Sequence, residues 1–372
     1  MLFKNRKQII KNGQTPKLRK IREDVLDILS FALDAVNPYK AVKSRFDGGK
    51  IVLEDAEIDS SNFEDVYLVG FGKASVGMAQ AACDSINIKR GVVVTNDPNN
   101  SVQNNHITTV IGGHPLPNQD SISGADEVLE IVGECGKKDL LIVLISGGGS
   151  ALLCKPRISL KGMQQTTDLL LKSGADINEI NTIRKHLSFV KGGQLIRHAK
   201  CRVVSLITSD IVNDPMEFIA SGPTYPDSTT YNNAQNILSK YTLWEKLPSD
   251  VRRIIKSGIH GDIPETLKNG DPVFDNVHNF IIANNETACN AAEIKAKELG
   301  YEPVLLTTSL TGEAKDAGIY LVEKTCESNG EKIFISGGET TVTIRGNGKG
   351  GRNQEMILGS IKNLDSKDTV FA

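Results

Sequence analysis

Six apolar residues in a row, Leu140 to Ile145, run straight into Ser146-Gly-Gly-Gly-Ser150, and this junction limits the fold more than any other stretch. An unbroken apolar run of that length suits a strand covered on both faces, as in a parallel sheet. The glycines break the strand, and Ser150-Ala-Leu-Leu153 reads as the opening of a helix. Strand, glycine turn and helix start together bring backbone N–H groups to the positive end of a helix dipole, where anions bind. Without Cβ atoms, such a turn admits a phosphate close to the backbone. No Gly-Lys-Ser/Thr follows, so this is not a Walker A loop. A tight strand-to-helix turn with no ligand stays open.

The flanking sequence alternates in the same way. Apolar residues at helical spacing run from Lys20 to Val36 and end at Asn37-Pro38. Strands are expected at Val66–Val69, Gly91–Thr95, Ile107–Ile111 and Val203–Ile207, with helices at 75–85 and 121–132. That order predicts a parallel α/β sheet with ligands at the carboxyl ends of its strands. From Tyr231 to about Asp275 the pattern turns to polar helices and Pro/Gly loops, read as the change of domain. Strands near 278–284, 304–306 and 332–336, with helices at 286–299 and 311–326, then build a second α/β unit. A length of 372 residues fits two domains, placed at 20–255 and 276–372.

A net charge of −2 argues against nucleic acid or an anionic membrane as partner. No apolar run approaches the roughly 20 residues that span a bilayer. The basic stretch Met1–Arg22 lacks the apolar core of a secretory signal. Six cysteines, at 83, 135, 154, 201, 289 and 326, show no Cys-x-x-Cys spacing. They read as reduced core thiols of a cytoplasmic protein, neither a disulfide framework nor a zinc site.

Several loops carry candidate chemistry. Gly70-Phe-Gly-Lys-Ala-Ser-Val-Gly77 has the first two glycines of a dinucleotide fingerprint, but its third comes two places late. Asp97 stands where a ribose-binding acid would fall, so an NAD enzyme is a live alternative. Lys73 within that turn is suited to meet a phosphate or carboxylate. Gly112-Gly-His-Pro-Leu-Pro-Asn118 is a stiff loop whose His114 either binds an acid substrate or holds the loop. Asp176–Ser188 is amphipathic, with Ile177, Ile180, Ile183 and Leu187 on one face and Asn181, Arg184 and Lys185 on others. It reads as a surface helix with basic side chains. Asp210 and Asp214, with Asn213, offer hard oxygen ligands in a loop leaving a strand, which suits Mg²⁺. Gly346-Asn-Gly-Lys-Gly-Gly-Arg-Asn-Gln-Glu355, with Lys349 and Arg352, is a second basic glycine loop opening a helix.

Taken in order, these stretches resemble the class II glycerate kinases, the family with a MOFRL C-terminal domain. The matches are V-G-F-G-K-A (69–74), G-G-H-P-L-P-N (112–118), S-G-G-G-S-A-L (146–152) and I-N-T-I-R-K-H-L-S-x-V-K-G-G (180–193). S-D-I-V-N-D (209–214), A-S-G-P-T-Y-P-D (220–227), G-G-E-T-T-V-T (337–343) and G-G-R-N-Q-E (350–355) follow. The resemblance covers roughly residues 20 to 372. It implies a Rossmann-like N-terminal domain, a smaller α/β C-terminal domain and an active site in the cleft between them. It also implies Mg²⁺- and ATP-dependent phosphorylation of D-glycerate, usually at the 2-hydroxyl, by a monomer or homodimer. Lys73 matches the family's active-site lysine and Arg352 its active-site arginine. Gly147, Gly148, Gly149 and Ser150 would hold ATP phosphates, with His114 at the acid and Asp210 and Asp214 at the metal. The rivals are an NAD(P)-dependent hydroxypyruvate reductase and a non-catalytic phosphate-ligand sensor. Family members continue past this end with an Asp/Gly-rich loop and a helix. Thr369-Val-Phe-Ala372 is therefore expected in mid-strand, with an apolar face uncovered and activity in doubt.

Overall fold

In the computed structural model, residues 2–53, 56–326, 331–346, 348–364 and 369–372 are described. The chain divides into two compact units. One comprises residues 38–210 and 214–282, the other 1–37, 211–213 and 283–372.

The larger unit is built on a six-stranded sheet. Its strands are β1 (Val66–Phe71), β2 (Arg90–Thr95), β3 (Ile107–Ile111), β4 (Leu140–Ile145), β5 (Arg202–Thr208) and β6 (Val277–Ala283). They lie in the order β3-β2-β1-β4-β5-β6, and the β3–β2, β2–β1, β1–β4 and β4–β5 pairs are parallel. This is the doubly wound dinucleotide-fold order, whose direction of winding reverses between β1 and β4. Every residue of β4 is at most 1% exposed. Each of those side chains contributes about 1.5–3 kcal/mol by leaving water. The apolar run therefore became the centre of the sheet. Helices α2 (Ser75–Cys83) and α3 (Gln119–Glu134) cover it, α3 opening on a capping box between Asn118 and Ser121. A small antiparallel meander, Phe46–Asp47, Lys50–Leu53 and Ala56–Asp59, precedes β1.

After β4 come a single helical turn α4 (Gly149–Leu152), then α5 (Leu160–Ser173) and α6 (Ile177–His186). Helices α7 (Tyr231–Lys240) and α8 (Ser249–His260) share one apolar cluster with α5 and α6, through Leu170, Ile183, Tyr231, Leu238, Val251 and Ile255. Residues 231–275 are thus part of the larger unit, where a change of domain was expected. The strand expected to begin the second domain, β6, closes the first sheet. The cause is that α7 and α8 each present only a narrow apolar stripe, which reads as polar in sequence but is fully used.

The second unit holds α9 (Asn285–Glu298), β7 (Glu302–Leu310), α10 (Ala314–Cys326), β8 (Lys332–Gly338) and α11 (Arg352–Ser360). β7 and β8 pair in parallel, joined through α10. The helix α1 (Pro16–Ala35), started by Thr15 accepting from the Leu18 N–H, belongs here too. Its Ile28 and Ala32 pack with Cys289, Ala292 and Ala296 of α9, and buried Asp24 accepts from the Tyr301 hydroxyl at 2.8 Å. Residues 20–37 had been assigned to the first domain from sequence. The apolar stripe of α1 was legible, but not the surface it covers. Thr369–Ala372 form no strand. Among the described residues no helix is long and apolar enough to cross a membrane. The cysteines at 83, 135, 154, 201 and 289 are unpaired thiols, and the side chain of Cys326 lies outside the described residues.

Candidate active site

The two glycine turns expected from sequence leave the carboxyl ends of adjacent strands, β1 and β4, and are stitched together. The Lys73 N–H donates to the Gly147 carbonyl at 2.9 Å, and the Ala74 N–H donates to Ser146 Oγ at 3.1 Å. Gly72 has φ +126°, and a Cβ there would stand 2.1 Å from Ser146 Oγ, so only glycine fits. In a dinucleotide fold that glycine keeps space for a pyrophosphate. Here the side of Gly72 on which a Cβ would stand is packed against Ser146. Asp97 lies just past β2 as expected, but its carboxylate closes a local turn by accepting from the Asn99 N–H at 3.0 Å.

Around the second turn three candidates meet. A Cβ on Gly147 would lie 2.0 Å from an Asp210 carboxylate oxygen. On Gly148, at φ +84°, it would lie 3.0 Å from the His114 ring and 3.2 Å from Lys73 Cε. The triple glycine therefore makes room for an acid, an imidazole and a lysine side chain. Burial and the nearby Lys73 ammonium push His114 below its ordinary pKa, outweighing Asp210, so the ring is neutral at pH 7. Lys73 is exposed, and its ammonium makes no hydrogen bond or ion pair among the described residues. The N–H groups of Gly147 and Gly148 likewise donate to no protein acceptor there. The expected helix is only the four-residue turn α4, ended by extended Leu153, so free N–H groups rather than a full helix dipole face an anion.

Ala220, Ser221 and Gly222 hold three successive left-handed conformations, φ +50°, +64° and +60°. Strain of this kind in non-glycine residues persists where the surroundings enforce it, often at functional sites. It brings Ser221 Oγ to 2.7 Å from Ser150 Oγ, and Ser221 donates on to Asn181 at 3.1 Å. The Gly192 and Gly193 N–H groups tie the same turn through the Ser221 and Gly222 carbonyls at 3.0 and 2.7 Å.

The helix α6 corrects the surface-helix expectation. Lys185 and His186 are 0% exposed and Asn181 is 4% exposed, while Ile177 faces solvent. Lys185 is ion-paired with Glu217 at 2.7 Å and Asp227 at 3.1 Å, and His186 meets Glu265 at 3.1 Å. Lys191, just beyond, is also buried. Its ammonium donates to the Ser150 carbonyl at 2.7 Å and that of Leu153 at 3.1 Å, bracing α4 from below. Burial, helped by the Arg184 charge, lowers its pKa to about 8. Lys191, Ser221 and Asn181 lie within the sequence motifs, but nothing in those motifs assigns them a role. A cavity of about 180 Å³ opens beside the turn, lined among others by His114, Gly148, Ser150, Met163, Arg184 and Lys191.

Asp214, at φ +51°, continues the loop that carries Asp210. Among the described residues no group of three or more His, Cys, Asp or Glu is arranged to hold a metal. Asp210 is the carboxylate beside the turn, and an ion held there would need most of its ligands from elsewhere, as Mg²⁺ tolerates. Arg352 is in the other unit, at the first residue of α11, 3.1 Å from Glu339 and exposed. Of the glycine loop before it, Asn347 lies outside the described residues.

Comparison with known proteins decides the family. Residues 24–256 match a family described as a domain of unknown function (DUF4147), and residues 332–372 match the MOFRL family. A glycerate 2-kinase of Pyrococcus horikoshii is 42% identical over 94% of this chain and 81% of its own length. The chain belongs to the MOFRL glycerate kinase family. A crystal structure of a glycerate kinase from Thermotoga maritima superposes with TM-score 0.79 at 35% identity, over 93% of this chain and 80% of the other. A putative hydroxypyruvate reductase of Agrobacterium vitis is 35% identical over 82% of this chain and 80% of its own length.

Proposed function

We propose that the protein phosphorylates D-glycerate with ATP, giving ADP and 2-phosphoglycerate. The observation that carries this reading is the meeting of Lys73, His114 and Asp210 at the Gly147–Gly148 turn, at the switch point of the sheet. Its support is family membership and the names of relatives, the P. horikoshii protein being called a 2-kinase.

Phosphoryl transfer asks a protein mainly to position reactants and stabilise charge on the moving group. The unpartnered N–H groups of Gly147 and Gly148 can donate to phosphate oxygens without rearrangement. Lys73 supplies a positive charge over the same turn. Neutral His114 offers a ring nitrogen to the hydroxyl of the acid. Asp210, and Asp214 further along the loop, would hold Mg²⁺, which when bound neutralises negative charge on the phosphates. Arg352 is assigned from the motif match as the second charge-stabilising residue. The buried, unpaired cysteines fit a cytoplasmic setting.

An enolase-coupled assay with D-glycerate, Mg²⁺ and ATP, run with and without phosphoglycerate mutase, tests this reading. Signal without mutase is expected; signal only with it would mean 3-phosphorylation. Lys73→Ala and Arg352→Ala should each lower kcat/KM by roughly 10²–10³. Unchanged turnover in both would remove the two assignments.

A further inference from the structure

The cavity beside the turn has an unusual charge balance. Arg184, His114 and Lys191 line it, and no carboxylate does. Arg184 is half-buried, yet among the described residues its guanidinium makes no hydrogen bond and no ion pair. The titratable groups that act on it are the Cys154 thiol, kept protonated by burial, and the Lys191 ammonium. A guanidinium carries five donors and loses much of its hydration in such a place. Leaving it unmatched is costly unless an anion completes it.

The size of the space selects the anion. At about 180 Å³ it lies below the roughly 300 Å³ at which drug-sized ligands begin to fit, which suits a three-carbon acid better than a whole nucleotide. Pro115, Leu116, Ala151 and Met163 supply apolar walls.

We propose that Arg184 binds the carboxylate of the acid substrate, its planar fork taking both oxygens. The enzyme's choice of a small hydroxy acid over an uncharged polyol then rests on this residue. Lys191 braces the turn beneath it, and His114, across Gly148, is left facing the hydroxyl end. The proposal rests on the glycerate kinase reading for the identity of the acid, and its test separates the two.

Wild-type chain is assayed for phosphorylation of D-glycerate and glycerol. Binding of each to wild type, Arg184→Gln and Arg184→Lys is measured by calorimetry without nucleotide. Arg184→Gln should weaken D-glycerate by roughly 10–100-fold, the usual value of a charge-assisted pair. The KM for ATP should stay within about twofold, and thermal stability should not fall, since the side chain has no protein partner to lose. Arg184→Lys keeps the charge but not the fork and should recover only part of the affinity. It carries the same comparison if the glutamine variant does not fold. Glycerol binding should be indifferent to both. If wild type turns over D-glycerate and Arg184→Gln keeps its KM for it, the proposal is overturned and the kinase stands. A raised KM for ATP with that for glycerate unchanged would mean the cavity holds phosphate, which overturns it too. If wild type is inactive yet binds D-glycerate through Arg184, the carboxylate site stands and the activity reading falls.

Discussion

Lys185 and Lys191 sit on either side of the end of one helix, 0% and 3% exposed, in surroundings of opposite kind. Lys185 lies between Glu217 and Asp227, and Asp227 is further held by the hydroxyls of Thr229 and Thr266. Burial alone would raise the Asp227 pKa, but Lys185 and the Thr229 donors hold it below its ordinary value, so its carboxylate is ionised. Among the described residues Lys191 has two backbone carbonyls and no carboxylate, and Arg184 acts on it as a like charge. A desolvated cation matched by anions of the fold is scaffolding. One left unmatched beside a cavity marks where an external anion is expected, and its cost is carried by the rest of the structure.

The largest test of this contrast removes Lys185. Lys185→Met should cost about 3–5 kcal/mol in urea unfolding, because two carboxylates lose their counter-charge. Adding Glu217→Gln and Asp227→Asn should recover part of that loss. No loss in the single variant would mean Lys185 is not structural. Lys191→Met should leave urea stability intact or raise it, while kcat/KM falls by about 10² as the turn loses its brace. Equal losses of stability at both positions would erase the distinction. The smallest effect is in pH. The folded pKa of Lys191, about 8, lies below the ordinary 10.5, so between these values the unfolded chain holds a proton the folded chain has released. Stability must rise with pH in that window, by about 2 kcal/mol between pH 8 and 9.5, and be flat in this term below it. Melts of wild type against Lys191→Met over that range would show the extra slope in wild type only.

The sheet was legible because its strands are uninterrupted apolar runs. Ile107–Ile111 and Leu140–Ile145 were read to the residue. That Lys73, His114 and the triple glycine belong to one site was expected only from the family resemblance, since the residues alone left His114 between binding an acid and holding its loop. The character of α6 was not. A helix with Ile180, Ile183 and Leu187 on one side and Asn181, Lys185 and His186 on another looks half solvated. Only the loop from Glu217 to Asp227, folding over the polar side, buries it. Its partners lie 32 and 42 residues downstream, beyond the reach of periodicity. Residues 231–275 were misjudged for the same reason, their apolar stripes finding partners on α5 and α6.

The docking of α1 on α9 has a consequence for how the chain is made. Asp24 and Tyr301 bond across a sequence separation of 277. At translation rates of about 5–20 residues per second, the first helix waits tens of seconds for its partner to emerge. The six-stranded sheet is completed within that interval, between the two halves of the smaller unit. Until residues 285–298 arrive, Ile28 and Ala32 remain an exposed apolar stripe on a nascent chain. That stripe is a natural handle for a chaperone and a point of vulnerability to proteolysis.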